Sequence, residues 1–463
     1  MNELIYGIDA WYPVLRGGAA PAELVDLGRP GALDEAVAAW DGLGHGERLA
    51  VRAGGTPAPH PALPPPPPRL PGEGFGERFV ELPGPRGRSI LVPTRDGASL
   101  RGGLTLLPGT NAGSRTLRTM MRATSPFGIA LRGSRPALAV WTKGDPETAN
   151  DDLPLLPVAG TVAVAIDATE RSQSALVRAL DRRGAARIAM KIGLSERTDD
   201  AVEREARSLT LLSELVPGTG PELMADGRRA GRAWLAHDVL EGRYAGDALS
   251  PAHARLLAAI AAETRDEQTL SENRFFQEAQ RHLAALDPAE DPDWHAEYDA
   301  LLAALEESMD GSPLPVTLAH GDFAPWNLVR RRREVRAFDW EHLAEDAPAL
   351  YDLVHFRIQA GAVLKQQRGE RIFDDLERYF AGPASAVVRA AGVERRDVLR
   401  LVALYVLHEG TTSEVAERLR PAARTRTSWL RHAQRALCRR LTGLLTERSL
   451  PTWTRVERPR RAA

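Results

Sequence analysis

Residues 318–341 read LAHGDFAPWNLVRRRREVRAFDWE, and the rest of the chain is understood from them. His320, Asp322 and Asn327 fall in the pattern H-x-D-x-x-x-x-N, and Asp339 follows a dozen residues later. Transfer of a phosphoryl group from a nucleotide needs those residue types in that order. The protein forms little covalent chemistry of its own there, so it acts by positioning reactants and neutralising charge. One carboxylate must meet an acceptor hydroxyl and take its proton. A side-chain amide and a second carboxylate must hold magnesium against the phosphates.

The flanking residues support that geometry. Val316 and Leu318 read as a short buried strand leading into the loop, and Pro325 keeps the loop from becoming helix. Leu328–Arg330 and Val335–Phe338 read as two strands joined at Arg330–Arg333, a hairpin that returns Asp339 towards Asn327. An isolated HGD is common, and Asp or Asn in a loop usually turns or caps the chain. The full set is far harder to assemble by accident.

HGDFAPWN, then FDWE, then Tyr351-Asp352-Leu353 resembles the aminoglycoside phosphotransferase and choline kinase-like family, whose fold is protein-kinase-like. The resemblance covers roughly Thr161 to the end and is silent on the first 150 or so residues. It implies an α+β, two-lobe fold with a small antiparallel-sheet lobe and a large helical lobe, here preceded by an additional N-terminal α+β region. It also implies that Asp322 is the catalytic base and that Asn327 and Asp339 bind Mg2+.

Composition allows this. At 463 residues the chain is long enough for about three domain-sized units. Hydrophobic content of 43% and charged content of 26% are ordinary for a globular protein. The formal net charge of −2 gives no global field to recruit nucleic acid or a membrane surface. The single cysteine, Cys438, excludes an intramolecular disulfide framework and a cysteine-rich zinc site. The start, MNELIYGIDAWYPVL, lacks a signal-peptide pattern, and no stretch reaches the length of an apolar membrane span. A cytoplasmic location is expected. Only Lys143, Lys191 and Lys365 are lysine among 60 basic residues, so each lysine stands out against an arginine background.

In chain order, residues 1–55 hold one helix candidate, Ala32–Leu43. Residues 56–76, with five prolines at Pro64–Pro68, read as a semi-rigid linker. Residues 77–150 read as a small α+β region of unassigned role that either extends the small lobe or docks a partner, and residues 1–150 as a whole are the candidate site for a protein partner. Its strands are Arg78–Leu82, Ser89–Pro93 and Pro136–Trp141, with a helix near Ser114–Ala123 and a turn at Lys143-Gly144-Asp145.

Residues 161–242 read as the small lobe and hinge. Val162–Ile166, Ser174–Leu180 and Arg187–Ile192 are three antiparallel strands, and Lys191 lies on the third. A lysine there is either a solvated strand residue or the ammonium that holds nucleotide phosphates. In the following helix, Asp199 to Leu215, Asp199 and Asp200 are the candidate cap. Glu205 lies within the apolar stripe of Val202, Ala206, Leu209 and Leu212, whereas Glu203 projects away. A carboxylate on a buried face needs a partner, and Lys191 is the candidate. The loop DATERSQ, Asp167–Gln173, has no glycine, so Thr169, Ser172 and Ser174 would have to donate hydroxyls to phosphate where other kinases offer backbone amides. Arg232–His237 is a further strand, after which Val239 and Leu240 occupy the hinge position where backbone groups would meet an adenine edge.

Residues 243–450 read as the helical lobe, with helices at Pro251–Glu263, Glu267–Leu286, Trp294–Met309, Leu399–Glu409 and Ser428–Leu444, and 451–463 as a basic tail. Asp352 is expected to cap or brace the loop, His320 to pack it, and His355 and His408 to be core or surface residues. The expected activity is transfer of the γ-phosphate of ATP or GTP, with Mg2+, to a hydroxyl of a small molecule or glycan. The alternatives are a nucleotide-binding pseudokinase or scaffold, which the glycine-free loop motivates, and nucleotidyl transfer on the same fold. Glu345, Asp346 and Glu409 are too generic to assign to a cationic acceptor.

Overall fold

The computed structural model describes the strands and helices of residues 23–169 in pieces. From 172 to 447 it describes all but residues 230, 290, 310 and 419–426. The chain divides into two compact units: Met1–Arg207 with Glu222–Val239, and Ser208–Pro221 with Leu240–Ala463. The crossover between Val239 and Leu240 falls within the stretch read as a hinge.

The first unit is built on a ten-stranded sheet. Its strands are β1 (Glu23–Asp26), β2 (Arg48–Arg52), β3 (Gly74–Pro83), β4 (Arg88–Pro93), β5 (Arg135–Lys143), β6 (Thr161–Thr169), β7 (Ser172–Leu180), β8 (Ala186–Gly193), β9 (Leu223–Arg229) and β10 (Arg232–Asp238). They lie in the order β1-β2-β5-β3-β4-β6-β7-β8-β10-β9. Every neighbouring pair is antiparallel except β1 and β2, which run parallel. Two helices accompany the sheet, α1 (Gly97–Gly103) and α2 (Glu196–Leu215).

The strands of the region left unassigned continue the same sheet, because β4 pairs with β6 from Arg88↔Asp167 to Leu91↔Val164. Period-two alternation then fills both faces. Phe79 and Leu91 join Val162, Val164, Ile166, Met190 and Trp234 in one cluster. Val80, Leu82, Ile90 and Val92 pack with Leu100, Leu104 and Leu107 in another. The turn after β7 fixes α1. Gly184 has φ of +75°, and a Cβ there would lie 2.0 Å from the Ala98 carbonyl oxygen, so only glycine fits.

Several local expectations need correction. The loop DATERSQ is not a loop. β6 and β7 pair as far as Thr169↔Ser172, leaving only residues 170–171 between them, outside the described residues. Helix α2 starts at Glu196, three residues before the expected cap. Asp199 is instead buried inside the first turn, where it accepts from the Ala233 amide at 3.0 Å and from Arg232 at 3.1 Å. The helix entrance is secured by Thr198, whose hydroxyl accepts from the amides of Leu194 and Ser195. Gly74–Gly76 belong to β3 and not to the linker, the rest of which lies outside the described residues. So do most of the helix expected at Ala32–Leu43, Gly144-Asp145 and the basic tail. Of 114–123, the described residues 116 and 119–123 are helical.

The second unit is mainly helical: α3 (Pro251–Thr264), α4 (Arg274–Ala285), α5 (Pro292–Ser308), α6 (Tyr351–Ile358), α7 (Gly369–Ala381), α8 (Ser385–Ala390), α9 (Asp397–Arg418) and α10 (Thr427–Thr446). The helix expected from Glu267 begins only at Arg274. Residues Asp266–Gln268 form a strand, β12, and the Asn273 side chain accepts from the amides of Phe275 and Phe276 as the true cap. With β11 (Arg243–Tyr244), the remaining strands β13 (Leu314–Ala319), β14 (Leu328–Arg331), β15 (Glu334–Ala337) and β16 (Ala344–Pro348) complete two small sheets, β11-β14-β15 and β12-β13-β16. Among the described residues, no helix is long and apolar enough to cross a membrane. Antiparallel sheet in one unit and helices in the other make the protein α+β.

Since β3 and β4 supply both faces of the sheet, a chain starting at residue 157 is expected to be insoluble or to lose its cooperative unfolding transition. A soluble truncated chain with an unchanged thermal midpoint would show that the added strands carry no stability.

Candidate active site

In the first unit, strand parity places the lysine. Met190 and Ile192 point into the large apolar cluster, so Lys191 points to the opposite face, where its register partner Leu235 packs with Val202 and Ala206 of α2. Glu205 stands on that face of the helix with no exposed surface, and Lys191 Nζ donates to its Oε2 at 2.5 Å. Lys191 itself remains 20% exposed. Burial on one side makes this pair unlike Arg228–Glu203, which lies at the surface. The structure therefore joins Glu205, selected by helical periodicity, to Lys191, selected as its partner on the third strand.

Thr169 and Ser172 close the β6–β7 hairpin as a pair. At the hinge, the Val239 amide donates to the Arg187 carbonyl oxygen at 3.3 Å, so that N–H is engaged within the sheet and is not the donor an adenine edge would meet.

In the second unit the HGD loop is held by a buried carboxylate. Strand β13 is buried along its whole length and delivers His320, whose amide donates to Asp352 Oδ2 at 2.7 Å, while the Gly321 amide donates to Oδ1 at 3.1 Å. Burial raises the pKa of Asp352 against the pull of His320 and these two amides. Gly321 has φ of +80°, and a Cβ there would lie 2.2 Å from the His342 carbonyl oxygen. His320 links three segments. Its Nε2 donates to the Phe338 carbonyl oxygen at 3.0 Å, and Nδ1 accepts from the Asp322 amide at 3.2 Å. That pattern requires the neutral ring with hydrogen on Nε2, and burial lowers its pKa accordingly.

Asp322 and Asn327 meet directly. A short 3₁₀ turn at Pro325–Asn327 brings the Asn327 Nδ2 to 2.9 Å from both the backbone oxygen and Oδ2 of Asp322. Pro325 thus starts a single helical turn, where a wholly non-helical loop was expected. With Nδ2 committed to Asp322, the amide oxygen is the atom of Asn327 that could ligate a cation. The Phe338 amide donates to the Asn327 carbonyl oxygen at 3.0 Å, so the residue before Asp339 is tied to the loop on both sides. Asp339 itself has φ of 74°, a left-handed position that Asp tolerates better than most side chains.

One functional neighbour was missed. His355 Nε2 lies 3.0 Å from Asp322 Oδ1, and Tyr405 Oη lies 3.0 Å from His355 Nδ1. A usable signal was the spacing. Asp352 and His355 are three apart on one helix and therefore share a face, so a helix that braces the loop with one presents the other to it. His408, also read as core or surface, is buried and lies 3.2 Å from Glu278. Asp346 pairs with Arg274 at 2.7 Å, and Glu409 accepts from the Tyr351 hydroxyl at 2.5 Å. Cys438 is buried, which pushes its thiol up to about 12 and removes it as a nucleophile.

Comparison with known proteins follows the same residues. A family model described as "Phosphotransferase enzyme family" matches residues 168–390. No curated protein matches the chain. Among solved structures, an APH(2'')-type enzyme in complex with GDP and kanamycin is 15% identical, with a TM-score of 0.41, covering 64% of this chain and 96% of its own. A choline/ethanolamine kinase family protein from Mesorhizobium loti is 15% identical at a TM-score of 0.40, covering 62% and 90%. An aminoglycoside phosphotransferase from Streptomyces rimosus is 19% identical at 0.34, covering 51% and 90%.

Asp352→Ala would leave two amides of the loop without their acceptor, at about 1–3 kcal/mol for each one kept from water. A fall in thermal midpoint is expected, with loss of any turnover. A variant as stable as the parent would show that the clamp is dispensable.

Proposed function

We propose, from the premise that residues 168–390 belong to the phosphotransferase enzyme family, that this protein moves the γ-phosphate of ATP or GTP to a hydroxyl of a small molecule or glycan in the cytoplasm. The observation that carries the reading is the Asp322–Asn327 contact on a loop held by Asp352. A carboxylate 33% exposed and fixed on both oxygens suits a base that must meet a substrate hydroxyl.

In this reading Asp322 accepts the hydroxyl proton as the acceptor oxygen attacks the γ-phosphorus and the bond from that phosphorus to the β,γ-bridging oxygen breaks, releasing ADP or GDP. Lys191, oriented by Glu205, binds the α- and β-phosphates. The amide oxygen of Asn327 and the carboxylate of Asp339 are hard oxygen donors of the kind Mg2+ takes, so the donor set fits that ion. When bound, magnesium supplies charge neutralisation on the phosphates. Thr169 and Ser172, at the tip of the β6–β7 hairpin, remain the proposed hydroxyl donors to phosphate. Leu240 and the carbonyl of Val239 are the proposed backbone contacts to the base.

The tight, glycine-free hairpin favours one other reading, a nucleotide-binding pseudokinase or scaffold. The two are separated by magnesium-dependent transfer from labelled ATP and GTP across a panel of hydroxylated acceptors that includes aminoglycosides, choline and simple sugars. Transfer to none, with nucleotide bound, would favour the scaffold. For the enzyme, Asp322→Asn is expected to lower turnover by about 10²- to 10⁴-fold while calorimetry finds nucleotide affinity preserved. Equal turnover by that variant would reject Asp322 as base. Lys191→Ala is expected to do the opposite in binding, weakening nucleotide affinity in the same titration.

A further inference from the structure

The proposed phosphate transfer leaves without a role a chain of polar side chains, buried at its histidines and tyrosines, that ends on Asp322. It begins at Glu278 on α4, which lies 3.2 Å from His408 Nε2. His408 Nδ1 lies 3.3 Å from the Tyr351 hydroxyl and 3.6 Å from Glu409 Oε1, and Tyr351 donates to that same oxygen. Glu409 keeps only 18% of its side chain exposed. Burial alone would raise its pKa, but His408, His355 and the Tyr351 hydroxyl hold it down to about 2. Next comes His355, 5% exposed, between Tyr405 Oη and Asp322 Oδ1, each at 3.0 Å.

This arrangement is costly unless it works as a unit. A largely buried ionised carboxylate such as Glu409 needs donors, and His408, His355 and the Tyr351 hydroxyl are the groups beside it. At His355 the nitrogen facing Asp322 must carry hydrogen, because an ionised carboxylate only accepts. The other Asp322 oxygen is taken by Asn327. Two donors on opposite oxygens leave the carboxyl group no freedom to rotate.

We propose that His355 is the positioning residue that fixes the Asp322 carboxylate for proton abstraction, with Tyr405 fixing the ring of His355 in turn. The proposal rests on the assignment of Asp322 as the base, but its physical content, a charged imidazole locked to that carboxylate, is measurable without turnover. The groups facing His355 are Asp322 from the loop, Tyr405 and Glu409 from α9, and Asp352 and Tyr351 from its own helix. Burial would lower its pKa, but the hydrogen bond to Asp322 and the charges of Glu409, Asp322 and Asp352 outweigh burial and raise it above 6.5. The ion pair is present below the ordinary histidine value and is lost as pH rises through the raised one.

The test uses the full chain labelled at histidine, with the His355 signal assigned by its disappearance in His355→Gln. NMR titration is expected to place His355 above 6.5, and Asp322→Asn is expected to lower it by about one unit or more. A His355 titration that Asp322→Asn leaves unmoved overturns the pairing, whether or not the protein proves to be a phosphotransferase. In turnover, His355→Leu is expected to lower kcat on the order of 10²-fold with the nucleotide KM unchanged. His355→Gln, which keeps a neutral N–H near the same place, is expected to recover much of kcat and to lose the alkaline fall of the wild type. A leucine variant with the wild-type kcat and pH profile overturns the positioning role even where phosphate transfer is confirmed.

Discussion

The amides of His320 and Gly321 end on one buried carboxylate, Asp352, and the candidate site is arranged around that clamp. A buried carboxylate without donors would be forced neutral or expelled. Two backbone N–H groups make it tenable and in exchange fix the path of the loop to within hydrogen-bond tolerance. From that anchored turn, His320 reaches Phe338 and Asp322 follows at once. The hairpin then returns through Ala337 and Phe338 to Asp339. With the His355–Asp322 contact, the clamp sets the distance between the loop and the helix carrying His355.

The neutral state of His320 matters to the same geometry. It must donate to one backbone carbonyl and accept from one backbone amide, and only the neutral tautomer does both. Its ring centroid lies 4.4 Å from that of Trp340, itself fully buried and donating to the Ala337 carbonyl oxygen at 2.9 Å. Aromatic packing on one side and two backbone hydrogen bonds on the other leave the ring a single orientation. The histidine beside Asp322 in the loop is thus a strut, and the histidine on the next helix touches the Asp322 carboxylate itself.

Much of this was legible in the amino acids. The order of Asp322, Asn327 and Asp339 pointed to phosphoryl transfer, the need of a buried carboxylate for a partner paired Lys191 with Glu205, and the 100° step separated Glu205 from Glu203. What was not legible depended on pairings distant in sequence. That β4 joins β6 is a matter of register across the chain, invisible to any local window. Asp199 looked like a cap because Asp often is one, yet its acceptor role is to Ala233 on β10, far along the chain. The segment 267–273 carries helix-forming residues, but pairing of β12 with β13 and the side chain of Asn273 override them. His355 was discounted because a single histidine on an apolar helix is usually core. It is core, and it also bonds to Asp322.

Backbone strain points to the same place. Of the four described non-glycine residues with positive φ, the two with the largest are Asp339 and Leu350, at 74° and 73°, one at the end of the hairpin and one at the entrance of α6. A left-handed leucine is a costly conformation, on the order of 1–3 kcal/mol, and persists only where its surroundings over-determine it. Leu350 is buried, and its neighbour Ala349 donates to the Pro315 carbonyl oxygen on β13. That bond and the left-handed step together start α6 beside β13, so that Asp352 comes under the loop two residues later and His355 one turn beyond it. A right-handed residue at 350 would send the helix off in another direction and part the clamp from the loop. The strain at Leu350 is therefore the geometric condition under which one short helix can hold the loop backbone and the carboxylate at once.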